Sequence, residues 1–173
     1  MGNAAPLVVV MGVCGSGKST LAEALAPALA IHTADADTFH PQANVDKMSA
    51  GTPLTDADRL PWLDAIGQWL ADHRESGAVV SCSALKSTYR DRLRTIAPDV
   101  FFVHLAGPID VVTERVAERS DHFMPSSLVA SQYDILEPLT PAEHGLTLDF
   151  TLPVPQLVEQ VSAALSSTSR ETR

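Results

Sequence analysis

Lysine is scarce in this sequence, which has three lysines among 173 residues and a net charge of −9 at pH 7. Because an acidic chain is repelled by nucleic acids and by anionic membranes, we expect neither of them as a partner. Long apolar runs are also lacking, since the run 7–11 is too short to span a bilayer. Without a basic leader or a cleavage site, a signal peptide is not predicted either.

Cysteine is rare as well. Cys14 and Cys82 lie 68 positions apart and have no metal-ligand spacing, so we expect two free thiols in a reducing cytoplasm. Hydrophobic residues make up 45% and charged residues 19% of the chain, which excludes a disordered protein. The length fits a single domain over residues 1–173.

Short apolar runs alternate with helical patterns along the chain. Strands are predicted over 7–11, 31–34, 78–82, 100–105 and 146–152, and helices over 18–30, 55–75, 86–96, 109–119, 126–135 and 155–165. This alternation predicts an α/β fold with a doubly wound parallel sheet and helices on both of its faces. Two stretches, about 38–75 and 119–140, do not fit it, and we expect them to form an inserted substrate-binding segment and a lid.

Local breaks in the pattern give further expectations. Residues 35–53 are polar and irregular, so no helix is predicted there. Pro27 is expected to kink or shorten the first helix, and Pro61 to mark the true start of the helix that follows Thr55. The tail beyond Ser166 is expected to fray.

Residues 12–19 read Gly-Val-Cys-Gly-Ser-Gly-Lys-Ser, which is the pattern G-x-x-x-x-G-K-[ST] between a predicted strand and a predicted helix. Glycines let backbone N–H groups turn towards phosphate oxygens, and the helix adds its positive end. Lys18 is expected to bridge two phosphates of ATP, and the Ser19 hydroxyl to hold Mg²⁺. The predicted ATP-binding residues of this motif are Gly12, Gly15, Ser16, Gly17, Lys18, Ser19 and Thr20. The motif predicts a P-loop NTPase of the nucleoside-monophosphate-kinase-like build.

Asp35 and Asp37 follow the second predicted strand, at the edge where open α/β sheets bind ligands. Alternate residues of an extended chain point the same way, so both carboxylates are expected to face the cleft. One would orient the water ligands of Mg²⁺, and the other would accept a proton from the acceptor hydroxyl. The alternative is a solvated turn with two capping aspartates.

Further motifs follow these two. They are His40-Pro41, Asn44, Lys47-Met48, Gly51-Thr52-Pro53-Leu54, Asp56-x-Asp58-Arg59, Pro61-Trp62-Leu63, Cys82-Ser83-Ala84-Leu85-Lys86, Tyr89-Arg90-Asp91, Arg115, Arg119 and His122-Phe123. On these residues the chain, from about 8 to 161, resembles the gluconokinase family, which phosphorylates D-gluconate with ATP. The stretches 58–63 and 83–86 are specific to that group.

The resemblance implies phosphoryl transfer from ATP–Mg²⁺ to D-gluconate. Arg59 would bind the substrate carboxylate with its planar guanidinium, and Lys86 would supply a second cation. Asp37 would meet the reacting hydroxyl, while Asp35 would assist Mg²⁺. The other substrate-binding residues that fit the resemblance are His40, Asn44, Lys47 and Tyr89. A homodimer is expected from the resemblance as well.

Arg115 and Arg119 lie four positions apart in a predicted helix, so both guanidinium groups are expected to reach one nucleotide. In this type of kinase, Arg115 would lie beside adenine and Arg119 would neutralise charge on the transferred group. The alternative is a network of surface ion pairs with Glu114 and Glu118.

The sequence departs from related kinases in two places. Residues 81–83, Ser-Cys-Ser, stand where an acidic Walker-B residue is common, which leaves Mg²⁺ to Ser19 with Asp35 or Asp37 behind it. Residues 120–121 replace a basic residue and a glycine of many relatives.

Two other functions stay open from the sequence. A shikimate-kinase-like enzyme also uses paired aspartates, but it places a glycine run where this chain has 83–86. A regulator that binds ATP without catalysis would usually have a damaged phosphate loop, whereas this chain keeps Lys18, Ser19 and both aspartates.

Overall fold

The computed structural model describes residues 4–119 and 126–171. In chain order its elements are β1 (Leu7–Met11), α1 (Lys18–Leu29), β2 (His32–Asp35), a short 3₁₀ helix (Ala36–Phe39), α2 (Gln42–Ser49), α3 (Asp56–Asp72), β3 (Ala78–Ser81), α4 (Ser87–Ile96), β4 (Phe101–Ala106), α5 (Ile109–Glu118), α6 (Ser126–Ile135), β5 (Gly145–Asp149) and α7 (Val154–Glu171). Most of these bounds lie within a few residues of the predicted ones.

Five parallel strands form one sheet in the order β2-β3-β1-β4-β5. β1 is central, because Val9 aligns with Val80 of β3 on one side and with Phe102 of β4 on the other. The carboxyl ends of all five strands lie at one edge of the sheet, which is the edge where open α/β folds bind ligands. The predicted doubly wound parallel sheet is confirmed.

Both faces of β1 are buried. Val8 and Val10 belong to a core formed with α1, α5 and α7, while Leu7, Val9 and Met11 belong to a core formed with α3 and α4. None of these five side chains is more than 2% exposed. A run of apolar residues without polar alternation is typical of a parallel strand covered by helices on both faces.

The prediction of an irregular stretch over 35–53 was wrong for α2. Its residues are mostly polar, so they give no clear apolar periodicity. Two side chains hold the helix in place instead: Asn44 donates a 2.9 Å hydrogen bond to the carbonyl oxygen of Asp58, and Lys47 pairs with the Asp58 carboxylate at 2.8 Å. Tertiary contacts therefore decide the conformation of this segment.

Proline marks the helix boundaries differently from the prediction. α3 begins at Asp56, so Pro61 lies inside the helix and does not mark its start. The start is fixed by a capping box, in which the Thr55 hydroxyl accepts from the N–H of Asp58 and the Asp58 carboxylate accepts from the N–H of Thr55. Pro27 lies in the last turn of α1, which ends at Leu29.

The last helix is longer than predicted. α7 continues to Glu171, so the expectation that the tail frays beyond Ser166 was wrong for 167–171. Hydroxyls in this part donate to carbonyl oxygens one turn earlier, for example Ser166 to Ser162 at 3.0 Å and Ser169 to Leu165 at 3.1 Å. Within the part of the chain that the structure describes, none of the helices has the length and apolar character needed to cross a membrane.

Candidate active site

The loop 12–17 joins β1 to α1 at the carboxyl edge of the sheet. Gly12 and Gly15 have φ angles of 148° and 76°, a region that favours glycine. A Cβ atom at Gly12 would lie 2.8 Å from the carbonyl oxygen of Leu105, and one at Gly15 would lie 2.9 Å from the Val116 side chain. The two glycines therefore allow the tight turn by which such loops surround a phosphate group.

Lys18 and Ser19 are the first residues of α1, and Thr20 follows them on its exposed first turn. Lys18 Nζ donates a hydrogen bond of 2.8 Å to the carbonyl oxygen of Val13. Burial lowers the pKa of Lys18, and nearby thiols and carboxylates oppose that effect. The buried hydroxyl of Ser16 has no hydrogen-bond partner among the described residues. The predicted phosphate-binding groups thus lie together in one turn of the chain.

Both aspartates lie beside this loop. The Asp35 carboxylate accepts a 2.9 Å hydrogen bond from the N–H of Asp37, and Ser19 Oγ donates to its other oxygen at 3.4 Å. The negative charge of Asp37 acts on both Lys18 and His40, where it opposes the lowering of their pKa by burial. Asp37 stands on the 3₁₀ helix, so the predicted strand-like alternation was wrong, although Asp35 does cap that helix as the alternative proposed.

His40 follows the 3₁₀ helix that carries Asp37, and its ring faces α3. Its ring stacks on the buried indole of Trp62, with centroids 4.5 Å apart and an interplanar angle of 10°. Trp62 Nε1 donates to the carbonyl oxygen of Ala36 at 2.7 Å, which fixes the indole against the 3₁₀ helix. Burial lowers the pKa of His40, and the guanidinium of Arg59 lowers it further. These contacts favour a neutral, fixed imidazole.

Asn44 and Lys47 bond the start of α3. Asn44 is 3% exposed, and its Nδ2 lies 3.3 Å from His40 Nδ1 in addition to its bond with Asp58. Both carboxylate oxygens of Asp58 accept from Lys47 Nζ, at 2.9 and 2.8 Å, and these bonds lower the pKa of Asp58 to about 2. Their observed contacts therefore join α2 to α3.

Three of the predicted substrate-binding residues meet around a residue that was not predicted, Asp56. Its Oδ1 accepts from the hydroxyl of Tyr89 at 2.6 Å and from Lys86 Nζ at 3.2 Å, and Arg59 Nη1 lies 3.7 Å away. The bond from Tyr89 and the bond from Lys86 lower the pKa of Asp56. We call Asp56, Arg59, Lys86 and Tyr89 the Asp56 cluster. It places two cations and a hydroxyl close together around one carboxylate.

Arg90 follows Tyr89 on α4 and is fully buried, at 0% exposed. Its Nε and Nη2 donate to Glu143 at 2.7 and 3.2 Å, and its Nη1 donates to the carbonyl oxygens of Ala84 and Leu85 at 2.9 and 3.3 Å. Ala84 has a positive φ of 42°. Arg90 therefore fixes the backbone just before Lys86. Its signal in the sequence was a charged residue on the apolar face of a helix.

Arg115 contacts the phosphate loop. Its Nη1 donates to the carbonyl oxygen of Gly15 at 3.4 Å, its Nη2 donates to that of Phe150 at 3.1 Å, and its guanidinium lies 4.9 Å from the Phe150 ring. Arg119 follows the last helical residue and has extended backbone angles, so the two arginines do not share one helix face as predicted. Burial raises the pKa of the Cys14 thiol, and the charges of Lys18 and Arg119 partly oppose that effect, so Arg119 does act on the phosphate loop.

α6 also bonds the phosphate loop, which the sequence did not indicate. Gln132 Oε1 accepts a 2.7 Å hydrogen bond from the backbone N–H of Cys14, and the Tyr133 hydroxyl donates to the carbonyl oxygen of Gly107 at 2.9 Å. α6 belongs to the predicted lid, of which residues 120–125, including His122 and Phe123, lie outside the described residues.

Oxygen donors for a hard cation come from Ser19 and Asp35. The residue that follows β3 is Cys82, which is buried, and burial raises the pKa of its thiol to about 12. Across residues 4–119 and 126–171, no three His, Cys, Asp or Glu side chains are grouped so that they could hold a metal ion. The hydroxyl and the carboxylate fit Mg²⁺, which is bound through few protein oxygens together with water and phosphate.

Known proteins resemble the chain in both sequence and structure. A family described as an AAA domain matches residues 7–139. A gluconokinase of Gluconobacter oxydans is 47% identical over 79% of this chain and 78% of its own length. A probable gluconokinase of Xenopus tropicalis is 37% identical over 90% of both chains.

A solved structure agrees with these sequences. The crystal structure of a gluconokinase from Sinorhizobium meliloti is 43% identical and superposes with a TM-score of 0.87 over 99% of this chain and 97% of that one. Identity at this level over most of the chain shows more than a shared fold. The chain therefore belongs to the gluconokinase family, a group of ATP-using P-loop kinases.

Proposed function

We propose that this kinase transfers the terminal phosphoryl group of ATP to D-gluconate and forms 6-phospho-D-gluconate. The observation that carries the proposal is the Asp56 cluster, which brings Arg59, Lys86 and the Tyr89 hydroxyl together on the acceptor side. Gluconate is a chain of hydroxyl groups with one carboxylate, so its recognition requires cations at one end and hydrogen-bonding groups along its length.

The acceptor would lie between the cluster and the phosphate loop. His40 lies close enough to both Arg59 and Asp37 for their charges to act on its pKa, so it is near the cations and the proposed reacting end. In this arrangement the substrate carboxylate contacts Arg59 and Lys86, and its far hydroxyl meets Asp37. The hydroxyl partners along the chain are proposed to be His40, Asn44, Lys47 and Tyr89.

Transfer is proposed to occur in line, without a phospho-enzyme. The acceptor oxygen forms a bond to the γ-phosphorus as the bond from that phosphorus to the bridging oxygen of ADP breaks, and the hydroxyl proton passes to Asp37. Lys18 offsets the negative charge of the β- and γ-phosphates. Arg119 is proposed to act on the charge of the transferred group, and Arg115 to lie beside adenine.

Ser19 and Asp35 would hold Mg²⁺, directly or through its water molecules. When bound, the ion neutralises negative charge on the phosphate oxygens.

The remaining proposals concern the whole protein. It is a single domain in which 38–75 carries the substrate and 119–140 forms a lid, and it is a cytoplasmic homodimer. The two free thiols, Cys14 and Cys82, support a reducing compartment.

The test is ADP release from ATP–Mg²⁺ with a panel of acceptors: gluconate, shikimate, glucose, AMP and none. Turnover with gluconate well above the other acceptors is expected. The Lys18→Ala and Asp37→Asn proteins should lose turnover while they keep the unfolding temperature of the wild type. Turnover with another acceptor in place of gluconate would contradict the substrate, and a fully active Asp37→Asn protein would contradict the role of Asp37. The shikimate and regulator alternatives are not favoured by the relatives.

A further inference from the structure

Asp56 occupies the position in which a substrate carboxylate would be bound. Two donors bond one of its oxygens, the Tyr89 hydroxyl at 2.6 Å and Lys86 Nζ at 3.2 Å, and Arg59 Nη1 forms an ion pair with the same oxygen at 3.7 Å. Lys86 Nζ also reaches the second oxygen, at 3.3 Å. An ammonium, a guanidinium and a hydroxyl that converge in this way are the groups expected to bind a free carboxylate.

Asp56 is also the member of the cluster that can leave most easily. Its side chain is 62% exposed, compared with 32% for Lys86 and 28% for Arg59. Exposed ion pairs are weak because water and salt compete with them, so the carboxylate can turn into solvent at little cost.

The start of α3 does not depend on the Asp56 carboxylate. The capping box is made by Thr55 and Asp58, and Asp56 lies between them as the first helical residue. Asp58 is in turn paired with Lys47 and not with the cluster. A change of the Asp56 side chain therefore leaves the cap and the junction with α2 intact, so the effect on substrate binding can be measured separately.

We infer that Asp56 is an internal competitor for the anionic end of the acceptor, so that the substrate carboxylate must displace Asp56 from Lys86, Arg59 and Tyr89 before it binds. Asp56 thereby sets the affinity for acidic acceptors. This inference rests on the proposed function, because it requires an acceptor with a carboxylate.

The test compares the wild type with Asp56→Asn and Asp56→Ser in the ADP-release assay. Asn keeps the shape and removes the charge, while Ser removes the group that reaches the cluster. Both variants should lower the KM for gluconate by about two- to fivefold, the range over which an exposed ion pair acts. The kcat and the KM for ATP should stay unchanged, as should inhibition by glucitol, an uncharged polyol of equal length.

The matched control is Asp64→Asn. Asp64 also lies on α3 and also pairs with a cation of α4, since its Oδ2 accepts from Arg92 Nη2 at 2.8 Å. It lies outside the Asp56 cluster, so the KM for gluconate should not change. Thermal unfolding of all three variants separates a loss of folding from an effect on binding.

Other outcomes overturn the inference in distinguishable ways. A higher KM for gluconate in both Asp56 variants would mean that Asp56 positions the cations and stays in place, and an unchanged KM would mean that it does not compete. If the wild type itself does not phosphorylate gluconate, the proposed function fails and this inference fails with it. If the wild type does so and the KM does not fall, only the inference fails.

Discussion

Arg59 of α3 and Arg90 of α4 have opposite surroundings. Arg59 lies in the Asp56 cluster, whose charged members are partly or largely exposed. Arg90 is 0% exposed, and its partner Glu143 is 8% exposed. The exposed cations can exchange one carboxylate for another. The buried pair must stay intact, because breaking it would leave a buried charge that water cannot reach. The kinase thus has a fixed ion pair at Arg90, the residue that follows Tyr89 of the exchangeable cluster.

The buried pair is expected to be important because of the backbone that it holds. Arg90 bonds the carbonyl oxygens of Ala84 and Leu85, and Glu143 accepts from the N–H of Thr140. Leu85 also accepts from the N–H of Glu137 at 2.8 Å. The segment before Lys86 is therefore tied to the segment that follows α6, and this fixes the backbone from which the Lys86 side chain extends.

The largest effect is expected for Arg90→Met, which breaks the buried pair and leaves the Glu143 charge without its main partner. We expect a loss of about 3–5 kcal/mol in the free energy of unfolding, measured with urea. Arg92→Met is the control, since Arg92 lies on the same helix with 42% of its side chain exposed, and it should change stability little. Similar losses in both variants would remove the contrast between fixed and exchangeable pairs.

A smaller effect is expected at Arg59, where the free energy of substrate binding changes. Arg59→Ala should raise the KM for gluconate by about 10- to 100-fold, the size of a charge-assisted hydrogen bond, with the KM for ATP unchanged. Stability should change less than for Arg90→Met, because the Arg59 side chain is 28% exposed and its ion-pair partner Asp56 is 62% exposed. Initial rates with each substrate varied in turn provide the measurement. Equal increases in both KM values would show that Arg59 does not bind the carboxylate.

The third prediction concerns pH. Burial would raise the pKa of Glu143, but the bonds from Arg90, Thr140 and Arg94 hold it at about 2, below its ordinary value of 4.5. A carboxyl whose pKa is depressed by folding stabilises the protein above pH 4.5, and this contribution is lost as the pH falls towards 2. Glu143→Gln should therefore be less stable than the wild type at pH 7, and the difference should shrink between pH 4.5 and 2. A difference that is constant with pH would contradict the low pKa.

Much of the fold could be predicted because the pattern of apolar residues was uninterrupted. β1 and α6 begin and end where the sequence predicted. α2 was missed because a polar helix is held by the single residue Asp58, whose partners lie 11 and 14 positions away in the chain. The end of α7 was missed because serine is a weak helix former, while its hydroxyls bond the preceding turn here.

The candidate site likewise has residues that could be predicted from the sequence and residues that could not. Lys18, Ser19 and the two aspartates follow from a motif with fixed spacing, and the structure places them together. Asp56, Glu143 and Gln132 could not be assigned roles, because each acts through a partner that is at least 30 positions distant in the chain. Only the fold brings such pairs together, so the sequence, in which Asp56 belongs to a family motif, gives no role to any of the three.

The central position of β1 bears on how the protein is made. β1 leaves the ribosome before the other strands of the sheet, yet one of its neighbours begins at Ala78 and the other at Phe101. Val8, Val9 and Val10 are fully buried in the finished protein, so the nascent chain exposes its most apolar segment until about a hundred residues have been added. Parallel strands that pair over such distances form slowly and are prone to aggregate meanwhile. Chaperones that bind extended apolar segments should therefore influence the yield of this kinase more than its final stability.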